Sequence, residues 1–207
     1  MVDAAILPLS TAEVAQLRAN TPGADNVVHL NHAGSSLPTQ ATLDTQIHHL
    51  QREAMTGGYE AANEAADRSE RVYASIGSLI GAKHYEIARL EQATAAWNAG
   101  FWSIPMEPGQ RIITANAAYG ANAVAFLRAV ERRGVTIDVV GDDEHGHVDV
   151  DELARRVDSD VALIAVTHVP TNGGLVNPAA AVGKIANGAK IPYLLDACQS
   201  VGHLHLD

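Results

Sequence analysis

Leu43, Ile47, Leu50 and Ala54 recur at the three- and four-residue spacing of one helix face, which predicts a helix over about 39–55. Gly57 and Gly58 close it. Val72, Ile76, Leu79 and Ile80 continue the same period and predict a second helix over roughly 61–80, ended by Gly81. Upstream, Ser10 and Glu13 have the spacing of a capping box, so a short helix is expected from about Thr11 to Ala19, broken by Thr21, Pro22 and Gly23. Val27, Val28 and Leu30 make a short extended stretch, followed by the turn-rich NHAGSSLP at 31–38.

After residue 86 the pattern changes to alternation. Short apolar runs fall at about 87–91, 111–114, 135–140, 161–166 and 191–195. Helical patterns separate most of them: Val124, Leu127 and Val130; Val150, Leu153, Ala154 and Val157; Val182, Ile185, Ala186 and Ala189. Strands that alternate with helices predict an α/β fold, a mostly parallel sheet with helices on both faces. VALIAV (161–166) and IPYLL (191–195) are apolar throughout, as strands buried on both faces are expected to be.

Composition narrows the class. At 207 residues and 47% hydrophobic, the chain is long and apolar enough for one or two domains with a sizeable core, and too apolar for disorder. No run approaches eighteen apolar residues, so no membrane span is expected. The opening MVDAAILPLSTAEVAQL lacks the basic and apolar regions of a signal peptide. A net charge of -10 argues against a nucleic-acid partner. Cys198 is the single cysteine, which excludes a disulfide within the chain and makes the cytoplasm the expected setting.

In open α/β sheets ligands bind beyond the C-terminal ends of the strands, so the loops there hold the candidate chemistry. Asp196 follows IPYLL directly; a carboxylate at a strand end needs a cation or several donors, unless it simply caps the next helix. Thr94 opens a helix, and its hydroxyl with the free N–H groups there suits an anion as well as it suits capping. Tyr119, in a Gly- and Asn-containing turn, is placed either to stack on a planar ligand or to cover the core edge. The segment 167–178, with Thr171, Asn172, Gly173 and Gly174, is long for a βα loop. Other motifs fail. There is no GxGxxG and no GxSxG, and Pro178 and Ile185 spoil a P-loop around Gly183 and Lys184. The pairs His145/His147 and His203/His205, the latter near Cys198, read as loop histidines rather than as a metal site.

Taken together, the four loops resemble the pyridoxal-phosphate enzymes of aminotransferase class V, the cysteine-desulfurase-like group of fold type I, over about Leu30 to Asp207. LLDACQSVGH (194–203) is similar to the family's Asp-x-x-Gln segment, and THVPTNGGLVNP (167–178) to its His-Val-Ser-Asn-x-x-Gly-x-x-x-Pro loop. AYGAN (118–122) falls where desulfurases carry Glu-His-His-Ala-Asn, and ATAAWN (93–98) occupies the phosphate-binding turn. The resemblance implies pyridoxal 5'-phosphate as cofactor. Ala93 and Thr94 would hold its phosphate, Tyr119 would stack on its ring, Asp196 would face its pyridine nitrogen, and Gln199 its phenolate oxygen. Thr171 stands where the family has Asn, with Asn172 one place later; alignment favours Thr171 for the phenolate contact. Tyr119 replaces the desulfurase His that also moves a proton, which departs from that mechanism. REAMTGGYEAANEAADR (52–68), AYGAN and GHLHLD look most like the C–S lyase branch of ergothioneine biosynthesis, whereas LNHAGSSLP (30–38) resembles isopenicillin-N-epimerase-like members.

The resemblance therefore implies C–S cleavage of an amino acid by a homodimer. The alternatives are a transaminase or epimerase, or a non-catalytic α/β module. The family's Schiff-base lysine lies on a later strand than the Asp-x-x-Gln segment, and Lys83, Lys184 and Lys190 are expected away from the cofactor end, so no catalytic residue is assigned within the chain. The family's strand order 3-2-4-5-6-7-1 implies that only part of the sheet is present. The expectation is a helix and arm over 1–36 and a partial cofactor-binding large domain over 37–207, with the small domain absent. Such a fragment is expected not to capture the cofactor covalently and to depend on a partner or aggregate.

Overall fold

The structure is a computed structural model that describes residues 8–171 and 173–204. It divides into two compact units, Met1–Arg71 and Val72–Asp207.

In the first unit, α1 (Thr11–Ala19) starts on the expected box: the Glu13 N–H donates to Ser10 Oγ while the Ser10 N–H donates to the Glu13 carboxylate. α2 (Gln40–Thr56) is capped by Thr39 and stopped at Gly57, whose φ of 94° is open only to glycine at little cost. The predicted single helix over 61–80 is in fact two, α3 (Gly58–Glu64) and α4 (Ala66–Leu79), parted at Ala65, and α4 continues past Arg71 into the second unit. Nothing in Asn-Glu-Ala-Ala-Asp marks that break, because no residue there opposes a helix. Arg52 clasps Glu64 through two hydrogen bonds and ties α2 to α3. Val27, Val28 and Leu30 form no strand and are exposed. Among the described residues of this unit only Ala61 is buried; Leu43, Ile47 and Leu50 leave α2 with an uncovered apolar stripe.

The second unit alternates as predicted: α5 (Ala93–Ser103), β1 (Arg111–Ala115), α6 (Gly120–Arg133), β2 (Thr136–Val140), α7 (Val150–Arg156), β3 (Val161–Thr167), α8 (Ala179–Ala189) and β4 (Tyr193–Asp196). All pairings are parallel, in the order β2-β1-β3-β4. This is the 3-2-4-5 portion of the order stated above. The run 87–91 is not a strand: among the described residues it joins no ladder, although its apolar composition matches that of the true strands.

Two cores flank the sheet. Ile112, Leu163 and Ala165 meet Phe101 of α5 and Ala125, Phe126 and Ala129 of α6 on one face. Ile113, Ile164 and Val166 meet Leu153 of α7 and Val182 and Ala186 of α8 on the other. β3 is buried at every position, whereas β4, at the sheet edge, is only half covered from Tyr193 to Leu195. An unbroken apolar run therefore marked a central strand correctly and an edge strand wrongly. α6 departs from its predicted face too. Val124 and Leu127 are exposed, and the helix buries Asn122, Ala125, Phe126 and Ala129. The alanines let it lie close on the sheet, so the smaller side chains, not the larger aliphatics, face inward.

At the opposite edge of the ladder from the candidate loops, Arg111 and Arg156 share the Asp138 carboxylate. Arg156 also pairs with Glu152 on the same helix face, and Arg111 with Asp158 at 2.8 Å. This network pins β1, β2 and α7 together.

Candidate active site

β1, β3 and β4 end side by side, and on their α5–α6 face sits Asp196, only 7% exposed. Among the described residues its carboxylate forms no ion pair. Instead Asn122 Nδ2 of α6 donates to Oδ2 at 2.7 Å, and the Cys198 N–H donates to Oδ1 at 3.1 Å. The Asp196 carbonyl accepts from the His168 N–H, continuing the β3–β4 ladder by one rung. Asp196 is thus not merely a cap. It is a buried carboxylate sustained by neutral donors close to the first turn of α6, where the positive end of the helix dipole adds to them.

Tyr119 is the N-cap residue of α6. Its N–H donates to Thr167 Oγ1 at 3.3 Å, which anchors the turn to the end of β3 and leaves the ring 51% exposed above it. Two contacts, Tyr119 to Thr167 and Asn122 to Asp196, therefore fix the start of α6 against two different strands.

Ala93 and Thr94 open α5, whose N-cap, Gln92, makes no side-chain capping bond. The Thr94 carbonyl is taken by Asn98 Nδ2, and the Asn98 amide oxygen in turn accepts from Trp102 Nε1, so the first turn is braced from its own helix. α5 reaches β4 where Gly100 approaches Leu194: a methyl at Gly100 would lie 3.6 Å from Leu194 Cδ1. Gln199 stands in the turn after β4, three residues beyond Asp196. Thr171 is exposed in a turn closed by Gly173 and Gly174 N–H groups on the Pro170 carbonyl; Asn172 lies outside the described residues.

Asp196 and Tyr119 are thus brought into one hydrogen-bonded cluster, with Gln199 following on the same turn. Among the described residues no hydrogen bond ties Ala93, Thr94 or Thr171 into that cluster. Four residues that sequence reasoning did not single out complete it. Asn122, buried to 3%, is the only polar residue on a helix face otherwise made of Ala and Phe, and that anomaly was visible in the sequence. Thr167 seats Tyr119. Asn177, also buried, donates to the Thr167 carbonyl at 2.8 Å and accepts from the Val148 N–H at 3.0 Å. His168 is buried with Nδ1 unpartnered, and desolvation holds its pKa below the usual imidazole value.

Other candidates lie elsewhere. Lys190 caps α8 at φ 59°, before β4 begins, and Lys184 sits midway along α8 on the opposite face of the sheet. Lys83 precedes a 3-10 turn over His84–Glu86. Cys198 is exposed, yet partial desolvation of its thiol, and then the neighbouring Asp196 charge, push it up to about 11, so it is protonated at neutral pH. His145 and His147 flank a tight turn in which Asp143 Oδ1 accepts both their backbone N–H groups. His205 lies outside the described residues. No helix among the described residues is long and apolar enough to cross a membrane.

Comparison with known proteins adds three findings. The family model for aminotransferase class-V matches residues 28–207. A probable cysteine desulfurase of Methanothermobacter thermautotrophicus is 27% identical over 194 residues, 92% of this chain and 48% of that protein. Two solved structures share the fold. One is a variant of C-DES with glycine covalently linked to the PLP cofactor (TM-score 0.83, 18% identity, 92% of this chain and 51% of that one). The other is the cystine C–S lyase C-DES with its reaction product cysteine persulfide (TM-score 0.82, 17% identity, 90% and 51%). The chain spans about half the length of the curated relatives it matches.

Proposed function

Because the chain belongs to the aminotransferase class-V family, we propose that it holds pyridoxal 5'-phosphate and that the whole protein cleaves a C–S bond in an amino acid. The observation that carries this reading is the buried Asp196 carboxylate, which has neutral donors and no cation. A carboxylate so placed has acceptor capacity left for one more donor, and a protonated pyridine nitrogen is a donor of complementary charge. The rest of the donor set fits as well. The uncapped N-terminus of α5, at Ala93 and Thr94, offers N–H groups and a hydroxyl to a phosphate. The exposed Tyr119 ring suits stacking, and Gln199 and Thr171 supply polar groups for the phenolate oxygen.

When bound, the cofactor supplies an electron sink for the bonds around the amino acid's α-carbon. The chain's own part is positional. Asp196 keeps the pyridine nitrogen protonated, the α5 N-terminus anchors the opposite end, and Tyr119 limits tilt and excludes water from one face. Cys198 has no role as a sulfur carrier, and the lysine that bonds the cofactor is none of Lys83, Lys184 and Lys190. In this reading residues 1–36 are a helix and arm, and residues 37–207 are part of the large domain. A second copy covers the α2 stripe of Leu43, Ile47 and Leu50, and the setting is cytoplasmic. One observation favours a transaminase or epimerase-like enzyme as a second reading. Tyr119 stands where desulfurases have a proton-carrying His, so the imidazole of that mechanism is missing at this position.

The test is titration of pyridoxal phosphate into the whole protein and its Asp196→Ala variant, followed by assay of sulfur release from cysteine and cystine. The expected result is a wild-type absorbance band of the bound cofactor that Asp196→Ala loses or shifts. Equal binding by both proteins would refute the role of Asp196. Amino-group transfer without sulfur release would select the second reading.

A further inference from the structure

We propose that Asn122 is a positioning residue for Asp196: its side-chain amide orients the carboxylate toward the ligand from the first turn of α6. This rests on the cofactor reading above and deepens it.

The case begins with cost. Asn122 is the third residue of α6, where Ala would be the better helix former, and it is buried to 3% among Ala125, Phe126 and Ala129. A primary amide carries two N–H groups and a carbonyl, so burying it on an apolar face is unfavourable unless a partner repays it. The partner is Asp196 Oδ2 at 2.7 Å, a short bond of the charge-assisted kind. The arrangement also has direction. The Cys198 N–H, on the same turn as the carboxylate, holds Oδ1 at 3.1 Å. That bond moves with Asp196 and cannot orient it relative to the rest of the molecule. Asn122 comes from a different element, one itself fastened to β3 by the Tyr119 N–H on Thr167 Oγ1. It therefore fixes the carboxylate plane in the frame that also carries the Tyr119 ring. With both oxygens held by neutral donors and no cation paired to them among the described residues, the Asp196 carboxyl group has open lone pairs for a cationic N–H. An Arg or Lys in place of Asn122 would satisfy burial equally well but would pair a cation with that carboxyl group.

The experiment compares wild-type, Asn122→Ala, Asn122→Asp and Asp196→Ala whole proteins in pyridoxal-phosphate affinity, in the absorbance maximum of the bound form and in melting temperature. Loss of one hydrogen bond to a charged group should weaken affinity about tenfold or more in Asn122→Ala and move the absorbance maximum in the same sense as Asp196→Ala. Asn122→Asp has the same shape but sets two carboxylates in contact. It should bind far more weakly than wild type at pH 8, with the ratio to wild type narrowing as pH falls and one carboxyl takes up a proton and donates it. Should Asn122→Ala fail to fold, this pH-dependent ratio in the isosteric variant carries the test alone. Affinity and absorbance unchanged in both Asn122 variants, with only the melting temperature lowered, would make Asn122 a packing residue and overturn the proposal while leaving Asp196 its role. If Asp196→Ala binds as wild type does, Asp196 has no role toward the cofactor and the proposal falls with it; if wild type itself binds no pyridoxal phosphate, the cofactor reading falls.

Discussion

Truncating Asn177 to Ala should cost far more than a surface amide does. The side chain is 3% exposed and spans two elements: Nδ2 holds the Thr167 carbonyl at the end of β3, and Oδ1 holds the Val148 N–H before α7. Both of those residues are buried, Val148 to 1% and Thr167 to 6%. Alanine removes both bonds and leaves a buried donor and a buried acceptor unpaired. Each orphan costs about 1–3 kcal/mol, less for a carbonyl that keeps a second lone pair in use, so the sum is roughly 2–4 kcal/mol. At an m-value of about 2 kcal/mol/M the urea midpoint should fall by about 1–2 M. Amide exchange at Val148 should accelerate selectively, because its N–H loses its acceptor. Asn116→Ala is the control: its one side-chain bond, to Asp142 at 3.1 Å, is exposed, and it should cost under about 0.5 kcal/mol. A shift for Asn177→Ala no larger than that of the control, with Val148 exchange unchanged, would refute the reasoning that the amide sustains the end of β3.

Further outcomes follow from the same structure. Gly77→Ala should destabilise by about 1–3 kcal/mol, since its methyl would lie 2.5 Å from the Ala82 carbonyl oxygen, whereas Gly188→Ala, with nothing within 4 Å, should stabilise by about 0.5–1 kcal/mol; thermal melts decide both. Desolvation lowers the His168 pKa, so the unfolded chain binds the extra proton first and stability should fall as pH drops below about 6.5; His168→Gln should flatten that limb in urea titrations across pH 5–8. The Asp160 N–H and the Arg111 guanidinium hold Asp158 below the ordinary carboxylate value, so its contribution is present above about pH 4 and lost as pH falls further; Asp158→Asn should remove that part of the acid limb.

The sequence showed the alternation of strands and helices well because β1 and β3 bury short apolar runs between amphipathic helices, and the capping box placed α1 to the residue. It failed where hydrophobicity and burial part company. Ile87, Ala88 and Leu90 are apolar yet join no strand ladder among the described residues, and β4 is apolar yet half covered, since nothing local tells a central strand from an edge. On α6 the large aliphatics Val124 and Leu127 drew the face outward, while close approach to the sheet selected alanines. In the candidate site, Asp196 was legible because a carboxylate directly after an apolar strand is conspicuous. Asn122 was legible only as a polar residue among Ala and Phe; its role was not, because its partner is 74 residues away and no spacing rule links them.

That same separation bears on time. β1 finds β2 across one intervening helix, but reaches β3 only after β2 and α7 have been passed over, and β4 joins last through β3. Loop closure makes the longer pairings slower, so the sheet should register outward from β1 and β2. The Asn122–Asp196 contact bridges α6, the crossover between β1 and β2, and β4, the last strand of the described sheet. No partly registered intermediate can possess it. Ligand capture, followed after dilution from denaturant, should therefore lag the recovery of secondary structure and report the docking of β4 on β3.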